Sequence, residues 1–398
     1  MKIAFVLTQS LDSPSGLGRY GPLARELVKL GHRVEVLALH YDWVNLPQKS
    51  FVEAGVQVHY VGQMHVQKSG SRKTYFGPGK LLLVSLQATW KLAQAVARSE
   101  ADLIHLGKPQ PFNVLAARYG RRGRPLFCDC DDYEAETNKF SSGWQKSVVR
   151  YFEDGIVNLA DGLTVNTHFL QKRYQSLGFP AGKIQIVPNG VERGRFNGRS
   201  ANDDLAQKWG LDPEAPIILY VGTLGLLSHP VDLLLAAFVK VQTAVPTAQL
   251  LLVGGGEDYD KLQQMAQTLG IAEKTTFTGR VAPEEIPDYL RLGTISLDPV
   301  HDDLIAKARS PLKIVESLAV GTPVVTGDVG DRREMLHNET LGIVVEPGSA
   351  DSLAQGILSL LQNQAKREAM AQVALQQREQ WFWEQLVTDF VKIYENIP

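Results

Sequence analysis

Short apolar runs alternate with amphipathic stretches along most of the chain. Residues 2–8 form an apolar run of strand length, 19–30 have helical spacing, and 33–39 are mostly apolar again. The same alternation restarts at 217–221. Strands that alternate with helices predict parallel sheets covered by helices on both faces. We therefore expect an α/β protein with two doubly wound, Rossmann-like domains that face a cleft.

A polar stretch, residues 197–216, separates the two alternating series and is rich in Gly, Asn, Asp and Pro. It predicts an N-terminal domain over 1–196 and a C-terminal domain over 197–380. The last segment, 381–398, begins with two tryptophans and a phenylalanine and should contain a helix. With 398 residues, of which 44% are hydrophobic, the chain is long enough for two such domains.

A short helix that carries a polar pair is predicted just before the apolar run 323–326. Ser310 is a good N-cap, Pro311 suits the first helical position, and Gly321 ends the helix. Lys313 and Glu316 lie three residues apart and should therefore share one helix face. The buried face should consist of Leu312, Val315, Leu318 and Ala319.

The start of this helix has the properties of a phosphate site. A helix N-terminus offers unpaired N–H groups and a partial positive charge, to which Lys313 adds a full charge. Glu316, about one turn further along, would reach a hydroxyl of the same ligand, such as a ribose hydroxyl. The alternative is a surface Lys–Glu pair on an ordinary amphipathic helix.

The sequence Ser-Pro-Leu-Lys-Ile-Val-Glu-Ser-Leu-Ala-Val-Gly-Thr-Pro-Val-Val at 310–325 resembles the donor-binding segment of retaining glycosyltransferases of family 4. Residues 31–36 and 188–192 are similar to two further segments of that family, and the likeness covers nearly the whole chain. It implies the glycosyltransferase B fold, whose final helix crosses back onto the first domain. It also implies that a sugar moves from a nucleoside diphosphate sugar to an acceptor hydroxyl by front-face attack, with no metal ion or other cofactor.

The same resemblance implies roles for individual residues. Lys313 would contact the diphosphate, Glu316 the ribose, and the loop at Gly16 would close over the donor. Backbone around residues 280 and 281 would hold the nucleobase. The predicted catalytic residues are His105, Asp131, Lys313 and Glu316. The open alternative for His105 is that it is an ordinary core histidine. The other predicted donor-binding residues are Thr223, Ser228, His229, Gly254, Arg280, Val281, Arg309, Ser310, Pro311 and Leu312.

Several positions depart from the family pattern. Ala308 occupies the position of the first of two glutamates that mark the site in the family, of which Glu316 matches the second. Asp131 stands where members carry a histidine, and Thr223 where they carry an arginine. Ser228-His229-Pro230 stands where members carry a lysine. Two alternatives to a retaining transferase therefore stay open, a nucleotide-sugar-binding protein without transfer activity and a nucleotide-sugar epimerase of the same fold. The predicted function is sugar transfer in the biosynthesis of a glycolipid, polysaccharide or other glycoconjugate, with a lipid-linked or saccharide acceptor.

Charge is distributed unevenly along the chain, although the net charge is only −2. Residues 1–195 carry 25 Lys and Arg against 16 Asp and Glu, or +9, which leaves −11 for the remainder. Basic and apolar residues interleave over 66–98, a pattern typical of a helix that attaches to an anionic membrane. The alternative is a helix packed on the domain with a solvated outer face. No nucleic-acid partner is expected.

No apolar run approaches the length of a membrane span, and the first residues are not those of a signal peptide. We therefore expect a cytoplasmic protein, with peripheral attachment to the inner face of the plasma membrane as an open alternative. Cys128 and Cys130 are too few for a disulfide framework or a zinc site and should be buried thiols. Asp129, Asp131 and Asp132 are more consistent with hydrogen bonds to sugar or acceptor hydroxyls than with a metal site.

Overall fold

The computed structural model describes residues 1–69, 72–138, 140, 142–197 and 203–395, without the side chains of 68, 69, 72, 73, 75, 78 and 203. The chain forms two compact units, one of Met1–Asn189 with Trp383–Pro398 and the other of Gly190–Phe382. Each unit has its own sheet of mainly parallel strands flanked by helices. The predicted α/β class with two Rossmann-like sheets is therefore confirmed.

The first unit contains an eight-stranded sheet and a separate hairpin. The strands are β1 (Lys2–Leu7), β2 (Arg33–His40), β3 (Ser50–Glu53), β4 (Val56–Gln63), β5 (Val66–Ser69), β6 (Arg72–Tyr75), β7 (Leu103–Gly107), β8 (Leu126–Cys130), β9 (Gly162–Val165) and β10 (Ile184–Ile186). The sheet order is β10-β9-β8-β7-β1-β2-β4-β3, parallel except for the β3–β4 pair. The strand order reverses between β1 and β7, so the loops after these two strands diverge and leave a crevice.

Helices cover both faces of this sheet. They are α1 (Gly21–Lys29), α2 (Pro78–Arg98), α3 (Pro111–Gly120), α4 (Glu134–Thr137), α5 (Gly143–Gly155) and α6 (His168–Ser176). A π-helical turn, Gly16–Tyr20, precedes α1, and single 3-10 turns follow α5 and precede β10. The apolar side of α1 packs on β1 and β2, which explains the strict burial of Leu23 and Leu27.

The prediction of one helix over 66–98 is wrong for its first third. Val66–Ser69 and Arg72–Tyr75 pair as the antiparallel strands β5 and β6, and α2 begins only at Pro78, after the N-cap Gly77. The physical reason is that Gly77 and Pro78 interrupt helical continuity, whereas proline is well tolerated in a first helical turn. Gly70 and Ser71 lie outside the described residues. No helix within the described ranges is long and apolar enough to cross a bilayer.

The second unit has one six-stranded, fully parallel sheet. Its strands are β11 (Ile217–Val221), β12 (Gln249–Val253), β13 (Thr275–Gly279), β14 (Ile295–Asp298), β15 (Val324–Gly327) and β16 (Gly342–Val345). The order is β13-β12-β11-β14-β15-β16, so the strand order reverses between β11 and β14. A ligand of this sheet is expected where the loops after these two strands diverge.

Ten helices of the described chain belong to this unit. They are α7 (Arg193–Phe196), α8 (Asp203–Lys208), α9 (Val231–Ala244), α10 (Tyr259–Thr268), α11 (Ile286–Leu292), α12 (Leu304–Ala308), α13 (Leu312–Ala319), α14 (Arg332–Met335), α15 (Ala350–Leu361) and α16 (Gln364–Gln377). Short 3-10 turns lie at Ala272–Lys274, Pro283–Glu285 and Arg378–Trp381. The stretch 197–216, expected as a linker, includes α8 and contributes Leu205 and Leu211 to the core of this unit.

The C-terminal segment returns to the first unit, as predicted. Helix α17 (Trp383–Val391) and the 3-10 turn Lys392–Tyr394 pack against the first sheet. Trp383 and Phe390 are buried in the same apolar cluster as Phe5. The chain therefore contributes both its ends to one core.

Candidate active site

Helix α13 lies at the carboxyl edge of the second sheet and carries the predicted polar pair. It begins at Leu312 with Pro311 as N-cap, one residue later than predicted, because the backbone of Pro311 is extended, with a ψ of 111°. The helix ends at Ala319, and Gly321 follows in the left-handed region with φ of 85°. Leucine and β-branched side chains anchor its inner face in the core.

Lys313 lies within the protein, not on a solvated helix face. Its side chain is 10% exposed, and Nζ lies 3.5 Å from Asp298 Oδ1 and 4.2 Å from the centre of the Tyr220 ring. A Cβ placed on Gly222, just after β11, would lie 3.3 Å from Nζ. Burial lowers the pKa of Lys313, against the opposing effect of Asp298. The ammonium group is thus held where β11 and β14 diverge.

Asp298 is the buried counter-ion at the end of β14. Burial alone would raise its pKa, but Arg332 and Lys313 beside it bring the pKa down to about 2. Its Oδ2 accepts hydrogen bonds from Arg332 Nε at 2.8 Å and from Thr326 Oγ1 at 2.9 Å. Sequence reasoning missed Asp298 and Arg332, although an acidic residue that ends an apolar strand was the available signal.

Glu316 is buried beside a second arginine. Burial raises the pKa of Glu316 to about 7, while Arg195 and Lys313 act in the opposite direction. Across the described ranges its carboxylate makes no hydrogen bond. Arg195, on α7, donates to the carbonyl oxygen of Pro283 but has a buried Nε without a partner among the described residues. Arg195 was also missed, since nothing in its local sequence points to Glu316.

The loops after β11, β12 and β13 are bound to one another through glycines. Gly222 N donates to Val253 O at 2.9 Å, and Gly254 N donates to Gly279 O at 3.0 Å. Gly254 has a φ of 137°, and a Cβ there would lie 1.9 Å from the carbonyl oxygen of Gly222, so only glycine fits. Arg280 is exposed just beyond β13 and packs on Gly255.

The remaining predicted donor residues surround the same edge. Arg309 Nη1 donates to Ser228 O at 3.0 Å, and Ser228 Oγ lies 3.0 Å from His229 Nδ1. Thr223 is exposed, and its carbonyl accepts from the Tyr220 hydroxyl at 2.9 Å. Val281 is half-buried against the core, and Ala308, at the position of the absent glutamate, is fully buried. The second unit therefore gathers two cations and a carboxylate around three glycine-containing loops.

His105 lies in the core of the first unit. It is fully buried among Phe5, Phe127 and Phe390, and Nδ1 lies 2.7 Å from the Tyr394 hydroxyl. Burial lowers the pKa of His105 to about 3. The structure therefore gives His105 a packing role and not a position where a ligand could contact it, because strand β7 extends two residues beyond it.

Asp131 lies at the carboxyl edge of the first sheet, next to a buried lysine that the sequence did not single out. Lys108 Nζ is within 3.0 Å of carboxylate oxygens of Asp131, Asp132 and Glu134. These three acids have the spacing of a divalent-metal site among the described residues. An ammonium group lies among them, so a metal would have to displace it.

Gly16 and Arg19 organise the opening turn of the first unit. A Cβ on Gly16 would lie 2.5 Å from backbone atoms of Leu11 and Ser10. The close contact that requires glycine here is therefore with the backbone of the protein itself. Arg19 forms a buried bidentate pair with Asp129, with distances of 2.6 Å and 2.7 Å, and Nη1 donates to Val187 O at 3.1 Å. Cys128 and Cys130 are buried free thiols.

Comparison with known proteins matches both halves of the chain to glycosyltransferases. Residues 15–190 match the family "Glycosyl transferase 4-like domain", and residues 201–377 match "Glycosyl transferases group 1". The chain is 26% identical, over 79% of its length and 82% of the relative, to a GDP-mannose-dependent alpha-(1-6)-phosphatidylinositol monomannoside mannosyltransferase of Mycobacterium tuberculosis. It is 24% identical to a phosphatidyl-myo-inositol mannosyltransferase of Mycolicibacterium smegmatis, over 100% of this chain and 94% of the relative.

The solved structure of sucrose-phosphate synthase from Thermosynechococcus elongatus has the same fold. It superposes with a TM-score of 0.79 at 18% identity and covers 99% of this chain and 98% of that chain. The two sheets, the returning C-terminal helix and the matches to both halves agree with one another. The chain belongs to the family 4 type of glycosyltransferases, with the glycosyltransferase B fold.

Proposed function

We propose that this glycosyltransferase moves a sugar from a nucleoside diphosphate sugar to an acceptor hydroxyl with retention at the anomeric carbon. The observation that carries the proposal is the buried Lys313–Glu316 pair on α13, at the point where β11 and β14 diverge. A cation for the diphosphate and a carboxylate for the ribose are then fixed one helical turn apart. Arg309, bonded to the loop after β11, supplies a second positive charge.

The chemistry we propose needs no protein nucleophile. The bond between the anomeric carbon and the phosphate oxygen breaks, and the acceptor oxygen forms its bond on the same face. The leaving phosphate takes the acceptor's proton. Lys313, Arg309 and the N-terminus of α13 stabilise the negative charge that develops on that phosphate. Since these groups are held in place before reaction, little reorganisation is needed in the transition state.

GDP-mannose is the donor we propose to test first, with an inositol-containing phospholipid as the acceptor. The support is the activity of the two mycobacterial relatives, which cover most of this chain at low identity. The experiment incubates purified protein with GDP-mannose and other nucleotide sugars, with and without acceptor, and analyses the products by NMR. Acceptor-dependent release of nucleotide with an α-linked product from the α-linked donor is expected.

Two other outcomes would favour the competing functions. Tight binding of nucleotide sugar without any product would favour a binding protein, a view motivated by Ala308 and Thr223 in place of the family's charged residues. An altered sugar that remains on its nucleotide would favour an epimerase. An inverted product would contradict retention while leaving transfer intact.

Removal of divalent metal should leave the rate of transfer unchanged. We propose that no metal takes part, because the three acids with metal-site spacing already surround the Lys108 ammonium. On the donor side, Lys313 and Arg309 offset the phosphate charge. The measurement compares rates with a chelator and with added magnesium or manganese. A rate that disappears with the chelator and returns with one of these ions would contradict the proposal.

A membrane-bound acceptor is supported by the outer surface of α2. Leu82, Leu86 and Trp90 are 60–63% exposed and lie four residues apart, with Leu83 beside them at 55%, whereas Val84 and Leu92 face the core. The apolar residues predicted to form one face are thus divided between a buried row and an exposed row. We propose that the exposed row and nearby basic residues attach to an anionic membrane, with about 1 kcal/mol for each basic residue close to the surface.

Flotation with liposomes tests this attachment. The wild type should float with anionic vesicles at low salt, and less at high salt or with neutral vesicles, because salt screens charge. Exchange of Leu86 and Trp90 for Gln should abolish flotation, whereas Leu177→Gln, at an exposed site after α6, should not. Exchange of Lys68, Arg72, Lys73 and Lys80 for Glu should also abolish it; the first three side chains lie outside the described part of the chain. A wild type that stays off anionic vesicles at low salt would contradict the proposal.

A further inference from the structure

Lys108 has an unusual backbone and a fully engaged side chain. It follows β7 directly and has a φ of 79°, a left-handed conformation that costs a residue with a side chain on the order of 1–3 kcal/mol. Its side chain is only 8% exposed. The amide donates to Asp129 O at 2.9 Å, and Asn113 Nδ2 donates to its carbonyl. The fold thus fixes this strained turn from both sides.

The three acids around Lys108 are not equivalent. Nζ donates to Asp132 Oδ2 at 2.7 Å and to Glu134 Oε1 at 2.8 Å. Asp131 Oδ1 lies 3.0 Å from Nζ, but outside hydrogen-bond geometry, and this buried oxygen has no other hydrogen-bond partner in the described part of the chain. The Asp131 side chain is 8% exposed. One carboxyl of the cluster therefore has hydrogen-bonding capacity that the protein does not use.

The cluster lies where the strand order of the first sheet reverses. Lys108 follows β7, and Thr8, which follows β1, donates through its hydroxyl to Gln110 Oε1 at 2.7 Å. Gln110 Nε2 in turn donates to Glu134 Oε2 at 2.7 Å. A network of side chains therefore joins the two diverging loops, at the edge where open α/β sheets bind their ligands.

We propose that Lys108 is a positioning residue for sugar transfer, which fixes Asp132 and Glu134 and thereby leaves the Asp131 carboxyl for a hydrogen bond with a hydroxyl of the bound acceptor. The proposal rests on the function proposed above. A buried polar atom without a partner is unfavourable, so a ligand hydroxyl that completes its hydrogen bonding gains affinity. Lysine acts here through Asp131 and does not itself contact the substrate.

The charges around Asp131 predict how pH acts on it. Burial raises the pKa of Asp131 to about 7; Lys108 and Arg19 lower it, and Asp132 and Asp129 raise it further. Glu134, on α4, is paired with the same ammonium. Removal of the Lys108 charge should therefore move this pKa upward, and a pH profile for the acceptor reports the movement only if Asp131 acts on the acceptor.

The test compares Lys108→Met with Lys108→Arg. The pH profile of kcat/KM for the acceptor should have a limb near pH 7 in the wild type that is absent in Asp131→Asn. Lys108→Met should move this limb upward by about one pH unit or more, and Lys108→Arg should keep it close to the wild-type position. Affinity for GDP, measured separately, should be the same in all variants because that site belongs to the second unit. A lower kcat/KM in Lys108→Met with an unmoved limb would overturn the proposal.

A second measurement uses only the wild type and Asp131→Asn, so it requires neither sugar transfer nor a folded Lys108→Met variant. Carboxyl NMR of the wild type labelled with ¹³C-aspartate should show one signal that titrates near pH 7 and is missing in Asp131→Asn. A signal that titrates in the ordinary aspartate range overturns the role of Lys108 and Asp131 even if transfer is observed. A signal near pH 7 in a protein that transfers no sugar would contradict the proposed function alone.

Discussion

Arg19→Met is expected to destabilise the first unit by about 3–5 kcal/mol, because it leaves a buried carboxylate without its cation. The guanidinium makes both bonds of a bidentate pair with Asp129 and also donates to Val187 O. Native-state hydrogen exchange of the β8 amides measures the loss. Lys29→Met is the matched control: this lysine is 64% exposed and pairs with Glu26, so its removal should change stability by at most about 1 kcal/mol. Equal effects of the two variants would contradict the assignment.

The same pair predicts the direction of a pH effect. Burial acts to raise the pKa of Asp129, but Arg19 outweighs it, and the pKa of Asp129 lies below the ordinary aspartate value. Its stabilising contribution is therefore complete above that ordinary value and is lost as pH falls through the lowered pKa. Arg19→Met should lack this acid-dependent loss. A variant as acid-sensitive as the wild type in β8 would indicate another cause.

Lys313→Ala and Glu316→Ala should each weaken binding of GDP or another nucleoside diphosphate by roughly 10- to 150-fold. Each variant loses a charge-assisted hydrogen bond worth about 1.5–3 kcal/mol. Lys274→Ala and Glu273→Ala are matched controls, since both residues lie at the opposite, amino edge of the second sheet and should leave affinity unchanged. Calorimetric titration measures all four. Unchanged affinity in both α13 variants would exclude this site.

The raised pKa of Glu316 gives this prediction a second measurement. With a pKa of about 7, the carboxylate becomes ionised and a strong acceptor for ribose hydroxyls as pH rises from 6 to 8. Affinity for GDP-mannose, whose diphosphate does not titrate in this range, should therefore rise with pH in the wild type and stay flat in Glu316→Gln. A pH dependence that survives in Glu316→Gln would assign it to another group.

Local patterns were sufficient to predict the elements that form the candidate site. Helix α13 follows from its apolar spacing and from Gly321, and the glycine turn after β12 follows from three consecutive glycines. The resemblance to family 4 identified Lys313 and Glu316 as a functional pair. Neither approach predicted that both side chains would be buried, because burial depends on the neighbours that the fold brings to them.

The partners of these residues could not be predicted because they are distant in sequence. Asp298 lies 15 residues before Lys313 and 34 before Arg332, and only the parallel sheet brings the three together. Arg195 precedes Glu316 by more than one hundred residues. Electrostatic pairing across strands leaves no periodic signal in a single sequence, whereas helix and turn formation does.

Two expectations depended on features that the local sequence does not show. His105 was predicted to be catalytic, with a core position as the alternative, and the structure agrees with the core position: its side chain packs on Phe390 of α17, a helix from the far end of the chain that is not encoded near β7. Val66–Ser69 pairs with Arg72–Tyr75 and does not extend α2 towards the N-terminus, because Gly77 and Pro78 interrupt helical continuity. In both cases a short pattern was compatible with more than one structure.

Hydrogen–deuterium exchange of the whole chain, with and without saturating GDP-mannose, tests most directly whether α13 and the glycine loops form the donor site. Protection is predicted at the start of α13 and in the loops that follow β11, β12 and β13, because the diphosphate and nucleoside would contact these segments. In a second comparison, at a GDP-mannose concentration equal to the wild-type Kd, most of the protection should be lost in Lys313→Ala. Protection confined to other segments, or unchanged protection of these loops in Lys313→Ala, would contradict the donor site.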